Sequence, residues 1–217
     1  MNRTVPRRRY RPLDRLLIEL DHGARTLLAK PVAARDYPAE AAGDEALSPN
    51  ERRLASRLMR VNHAGEVSAQ ALYRGHAAVA RSDTARDRML AAADEEQDHL
   101  AWCARRLEEL GGRRSRLDGL WYAGSFAIGA LAGIGGDRYG LGFVAETEKQ
   151  VERHLDRHLA RLPTEDVRSR QILETMQADE IRHGRSATQA GARTLPRPVK
   201  RAMAWVSRVM TGTAFWI

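Results

Sequence analysis

Two short segments of this chain carry the same set of metal-gripping side chains. Ala93-Asp94-Glu95-Glu96-Gln97-Asp98-His99 and Ala178-Asp179-Glu180-Ile181-Arg182-His183 each set a Glu three residues, and another acid four residues, before a His. On a helix, side chains three or four apart leave from one face, one turn apart. A carboxylate and an imidazole in that register can hold the same ion. One such pair arises by chance on many charged helices; two in one short chain are far more specific. Within each segment Glu95 competes with Glu96, and Asp179 with Glu180, for the role of ligand.

Such pairs act only if helices bring them together, and the chain reads as helical throughout. Ala, Leu, Arg and Glu are abundant, and runs of alternating apolar and polar residues are scarce. Ser48-Pro49-Asn50-Glu51 is a strong helix start, with a capping Ser, Pro in the first turn and Glu closing a capping box. A helix is predicted from there to about Arg81. A second, with Asp83 as cap, runs to Leu110 and stops at Gly111-Gly112. A third covers about 139–162, ending before Pro163. A fourth covers about 165–190, capped by Thr164 and ended by Gly191. In an antiparallel helix pair, residues at one height lie equally far from the turn. Halfway between Glu66 and Glu96 is residue 81, and halfway between Glu148 and Glu180 is residue 164. Both fall on independently predicted turns. The chain then reads Glu…ExxH…Glu…ExxH, the donor set of the ferritin-like di-iron bundles. Glu146 remains a rival to Glu148 on this count.

The candidate ligands are Glu66, Glu96, His99, Glu148, Glu180 and His183. Four carboxylates balance two Fe(II) ions, and each ion gains one imidazole. This oxygen-rich set suits iron or manganese better than zinc, and it leaves positions open for oxygen. Glu95, Asp98, Glu108, Glu109, Glu146 and Glu152 are expected on the surface. His63 shares the face of Glu66, and His154 could border the pocket. Cys103, the only cysteine, reads as a packed thiol.

The 217 residues suit one bundle, expected over 48–217, behind a basic arm over 1–47 with a short amphipathic helix near Leu13–Leu28. The net charge is +8. Residues 184–217 carry six Lys/Arg and no acid. Zinc-finger, helix-turn-helix and RNA-binding patterns are missing, so a membrane surface is expected rather than nucleic acid. The N-terminus lacks the apolar stretch of a secretory signal. Gly119 to Gly136 is eighteen residues without a charge, six of them Gly. Three placements fit it: a short membrane span, a helix against the membrane, or buried core. The second is preferred. Gly129 and Gly133 form a GxxxG pair that permits close helix approach. The tail VKRAMAWVSRVMTGTAFWI reads as a basic amphipathic helix carrying Trp205 and Trp216. Gly-rich and apolar helix faces need cover, which a homodimer could supply.

Arg60-Val61-Asn62-His63-Ala64-Gly65-Glu66, Glu96-Gln97-Asp98-His99-Leu100, Val144-Ala145-Glu146-Thr147-Glu148 and Asp179-Glu180-Ile181-Arg182-His183, with the Gly-rich apolar segment between, resemble the demethoxyubiquinone hydroxylases of ubiquinone biosynthesis, in their bacterial form. The resemblance runs from about residue 50 to the C-terminus. It implies a ferritin-like di-iron monooxygenase bound peripherally to the cytoplasmic face of the bacterial inner membrane, or to the mitochondrial inner membrane in a eukaryote. It implies a polyprenyl quinol and O2 as substrates, NADH as a plausible reductant, and other ubiquinone-biosynthesis proteins as partners. The family's six ligands fall on the six residues named above, and a His proposed to help electron transfer falls on His154. Some members follow that His with Tyr; this chain has Leu155. A ferroxidase of ferritin type would use the same ligands, but it needs neither the basic apolar tail nor the uncharged 119–136 segment.

Overall fold

The computed structural model describes residues 11–43 and 46–217. Among them all regular structure is helical, in the order α1 (Pro12–Leu28), α2 (Pro49–Val79), α3 (Asp83–Glu109), α4 (Asp118–Ile134), α5 (Asp137–Leu159), α6 (Val167–Gln189) and α7 (Arg197–Ala214). Hairpins α2–α3 and α5–α6 form the expected ferritin-like four-helix bundle, α4 connects them along α2, α7 returns onto α2 and α5, and α1 lies on α2 and α4. The Arg-rich residues 1–10, part of the expected basic arm, lie outside the described residues.

The starts and stops follow local chemistry. Ser48 and Glu51 make the reciprocal capping box at the head of α2. Gly111 takes φ +67° just past α3, a conformation that glycine reaches without steric cost. Two caps differ from the sequence reading. Ser82, rather than Asp83, accepts from the Ala85 amide, because a hydroxyl one residue earlier already meets that N–H. Asp166, rather than Thr164, caps α6 by accepting from Ser169 N. Asp166 is fully buried and also receives Arg106 Nη2 at 2.7 Å, so a tertiary ion pair selects the cap. Helix α5 starts at Asp137 and ends at Leu159, two residues before the expected start and three before the expected end.

The two larger apolar clusters of the core lie one after the other along the bundle. Met59, Trp102, Leu155, Leu173 and Met176 belong to one cluster. Leu72, Tyr73, Met89, Val144 and Ala187 belong to another. On every bundle helix the candidate ligands fall between these two layers in sequence, Glu66 between Met59 and Leu72, for example. Residues before α2 also enter the first layer: Tyr37 and Ala39 are buried there.

The uncharged segment becomes α4, pressed along α2. A Cβ at Gly129 would overlap the Leu72 carbonyl, one at Gly75 the Phe126 carbonyl, and one at Gly133 the His76 and Val79 side chains. Small residues from both helices thus form one close seam. No helix among the described residues is long and apolar enough to cross a membrane, which removes the span reading of 119–136.

Candidate metal centre

The six expected ligands converge in the middle of the bundle. Glu66 comes from α2, Glu96 and His99 from α3, Glu148 from α5, and Glu180 and His183 from α6. They form two overlapping groups. Glu66, Glu96, His99 and Glu180 each offer an atom within 4.8 Å of the others, and so do Glu96, Glu148, Glu180 and His183. Glu96 and Glu180 are common to both, the position a bridging carboxylate needs. All but His183 are buried, and the His183 side chain is only 10% exposed.

Both imidazoles face inward through Nδ1. His99 Nδ1 lies 2.9 Å from Glu96 Oε2, 3.4 Å from Glu180 Oε1 and 3.8 Å from Glu66 Oε2. His183 Nδ1 lies 3.3 Å from Glu96 Oε1. Each outer nitrogen donates to the acid that precedes the other segment's Glu. His99 Nε2 reaches Asp179 Oδ2 at 3.0 Å, and His183 Nε2 reaches Glu95 Oε2 at 2.9 Å. Arg182 ties these two acids together, with Nη1 2.5 Å from Asp179 and Nη2 2.7 Å from Glu95. Asp179 and Glu95, which competed for the ligand role, therefore meet the outer nitrogens of the two imidazoles. Such outer partners fix the tautomer and direction of a ligating His.

The electrostatics are those of a cation site. Burial pushes the Glu66 carboxyl well up against the pull of His99, with Glu96 and Glu180 adding to the rise. Burial, and then the neighbouring Glu180 and Glu66, push Glu148 well up too. Burial opposes the charge on Glu96, yet the His99 charge, the nearby His183 imidazole and a hydrogen bond with His99 hold it far below the usual range. Burial opposes protonation of His183, but Glu96 and Glu95 push it up to about 9. His99 is raised well above its ordinary value by Glu96, Asp179, Glu180 and Glu66, again against burial. Four carboxylates converge here on two imidazoles. Glu96 Oε1, Glu148 Oε1 and His183 Nδ1 are buried without a hydrogen-bond partner. Buried polar atoms left in this way call for a ligand, and these are hard oxygen donors with one nitrogen. The donor set fits divalent metal.

A small cavity of about 60 Å³ reaches Glu66, Glu148 and Glu180 from the side of α7. Gly65, His154 and Met210 are among its lining residues. His154 packs against His158 with ring centroids 3.9 Å apart and the ring planes tilted by 55°. Burial, then Arg157 and Arg161, lower His154 to about 4. His63 is buried, with Nδ1 3.5 Å from Asp118 Oδ2 on α4. Cys103 packs against Met176.

Two expected surface acids are buried instead, while a third, Glu95, keeps a 45% exposed side chain. Asp98 is buried and accepts from Ala34 N, Arg35 N and Arg35 Nε. Glu146 is buried against Lys200 Nζ at 2.9 Å, which docks α7 on α5 and leaves Glu148 alone to face the centre. Glu95 holds His183. No local signal pointed to Arg35, whose partners are 63 or more residues away.

The family model described as Ubiquinone biosynthesis protein COQ7 matches residues 53–214. The chain belongs to that family. It is 55% identical over 215 residues to the 3-demethoxyubiquinol 3-hydroxylase of Xanthomonas oryzae pv. oryzae (strain PXO99A), with 99% of each chain covered. It is 56% identical over 211 residues to the protein of that name from Bordetella petrii, covering 97% of this chain and 94% of the relative. As a COQ7-family member the chain is an enzyme of ubiquinone biosynthesis, a hydroxylase, and its buried Glu/His cluster can hold metal.

Proposed function

We propose that the chain hydroxylates the ring of a demethoxyubiquinol carrying a polyprenyl tail, using O2, two iron ions held by Glu66, Glu96, His99, Glu148, Glu180 and His183, and NADH as the source of electrons. The observation that carries this reading is the pair of overlapping four-donor groups sharing Glu96 and Glu180. Two bound iron ions would supply the reduction of O2, one oxygen entering the ring as hydroxyl and the other leaving as water, with two electrons and two protons consumed.

The chain's own residues bind, orient and exclude. Asp179 and Glu95 hold the imidazoles so that Nδ1 faces the converging carboxylates, where it would be available to a bound ion. The apolar layers on either side keep water from the centre. The cavity beside Gly65 and Met210 leads the ring toward Glu66, Glu148 and Glu180. At about 60 Å³ it is smaller than the roughly 150 Å³ that accommodates benzene in an apolar core. Helix α7, which closes one side, must therefore move outward to admit the ring. His154 lines this cavity and stands neutral at physiological pH, which suits a relay that passes electrons or protons without storing charge. The chain would work at the cytoplasmic face of the inner membrane, where its substrate is dissolved.

The deciding experiment is turnover of a short-tailed demethoxyquinol by iron-loaded protein with NADH and O2. Hydroxylated product is expected. Rapid oxidation of excess Fe(II) with the quinol untouched would instead identify a ferroxidase.

A further inference from the structure

We propose that Arg35, in the segment joining α1 to α2, is a positioning residue for one half of the metal centre, and that it couples this N-terminal segment to occupancy of that half. The proposal rests on the ligand assignment made above.

The guanidinium bridges two bundle helices at the height of the ligands. Its Nε donates to Asp98 Oδ2 at 2.7 Å, on α3 beside His99. Its Nη1 lies 2.8 Å from Asp179 Oδ2, on α6 beside Glu180. The same Asp179 oxygen accepts from His99 Nε2. Arg35 is therefore one atom removed from a ligand of the first group. The guanidinium also lies 4.6 Å from the centroid of the Trp102 ring, and that ring lies 5.4 Å from His99. Asp98 Oδ1 completes the clamp by accepting from Ala34 N at 2.6 Å. The Asp98 and Asp179 side chains are each only 6% exposed. The planar guanidinium meets the two carboxylates through different nitrogens, Nε and Nη1, a spread that a point-like ammonium does not reproduce.

The two halves differ in this respect. His183 is oriented by Glu95, and Glu95 by Arg182 Nη2, all within the bundle. His99 is oriented by Asp179, which is held by Arg182 from the bundle and by Arg35 from outside it. The His99 half therefore depends on a segment that precedes the four-helix unit, and the His183 half does not. By reciprocity, an ion fixing His99 also fixes Asp179 and strengthens the hold on Arg35.

The test is anaerobic Fe(II) titration of the full chain and of Arg35→Gln against a competing chelator, with Mössbauer spectra of the loaded proteins. Two ions should bind to the wild type. In Arg35→Gln one ion should keep its affinity and the other should weaken about 10- to 100-fold, the range typical for losing an outer partner. The spectrum should then show one altered iron environment and one unaltered. Arg35→Lys should recover part of the loss. Lys30→Gln, in the same segment but paired with Glu108 at the surface, should leave the binding of both ions unchanged. Hydrogen exchange gives the reciprocal readout: iron should slow exchange of the Ala34 amide in the wild type and not in Arg35→Gln. Unchanged binding of both ions in Arg35→Gln, or equal weakening of both, overturns the proposal. A wild type that binds no iron overturns the ligand assignment instead, so the two failures are distinct.

Discussion

A residue in this centre is defined by the charge its neighbours impose. Glu66 and Glu148 are pushed well above the usual carboxylate range, which favours their protonated forms, and His183, raised to about 9, carries its imidazolium proton at neutral pH. A metal ion must displace those protons, so uptake releases them and affinity should rise with pH toward about 9. Calorimetry of Fe(II) binding in buffers of different ionisation enthalpy counts the protons; an enthalpy independent of buffer would contradict this picture. Glu180, like Glu96, is common to both groups, so its loss should cost more than that of a donor in one group alone. Glu180→Ala is expected to abolish hydroxylation and lower iron content while the helical circular dichroism persists. The His154–His158 pair makes a separate statement about stability. Burial lowers the folded-state values to about 4 and about 2, with the neighbouring arginines adding to the shift. The unfolded chain, near 6.5, therefore binds more protons than the folded one below that pH. Stability is complete above about pH 6.5 and falls as pH drops toward 4, by up to about 1.4 kcal/mol per pH unit for each histidine. Urea midpoints at pH 5 and 7 should differ less in His158→Gln than in the wild type, once corrected for the variant's own loss.

At the scale of elements, glycine positions separate packing from catalysis. Gly124, in the interior of α4, has open space around a built Cβ, whereas Gly129 faces the Leu72 backbone. Gly124→Ala should stabilise the protein by about 0.5–1 kcal/mol through helix propensity. Gly129→Ala should destabilise it by about 1–3 kcal/mol, because backbone atoms cannot give way cheaply. Gly65 is a third kind: it lines the cavity beside the ligands, and a Cβ there meets nothing within 4 Å. Gly65→Leu should fill the cavity, keep both iron ions and lose quinol turnover; turnover near the wild-type rate would show that the ring arrives elsewhere. The bundle and its ligands could be read from the chain because they rest on short-range rules. The three-residue spacing within each ExxH pair and equal distances from a turn are both written locally. What escaped notice depends on partners distant in sequence. Asp166 displaces Thr164 as a cap because Arg106 is beside it, Asp98 is buried because Arg35 folds over it, and Glu146 turns from the centre because Lys200 arrives from α7. A pattern of acids on one helix cannot show which of them will meet an arginine from another.

At the scale of the whole molecule, the apolar surface is concentrated on the helices outside the four-helix core. On α1, Leu13, Leu16, Leu17 and Leu20 are all more than half exposed, at the spacing of one helical face. The opposite side of α1 is docked by Glu19 on Arg74 at 2.8 Å, so the leucines remain outward in the folded chain. On α7, Trp205 is 63% and Trp216, just beyond its end, 67% exposed, in the company of Arg201 and Arg208. A basic helix with exposed tryptophans is the pattern of an interfacial element, bound by apolar burial together with attraction to anionic lipid. Helix α7 also closes the cavity at the ligands, so the surface that would rest on lipid and the one that would admit the ring belong to one element. That arrangement separates two kinds of substrate. A Leu16→Ser, Trp205→Ser double variant should bind anionic vesicles at least several-fold more weakly than the wild type, most visibly at low salt. Its turnover of a long-tailed quinol presented in those vesicles should fall in proportion. Its turnover of a short-tailed quinol in solution should be unchanged, because neither residue lines the cavity. Equal loss on both substrates would mean that these side chains serve the fold or the centre rather than the membrane.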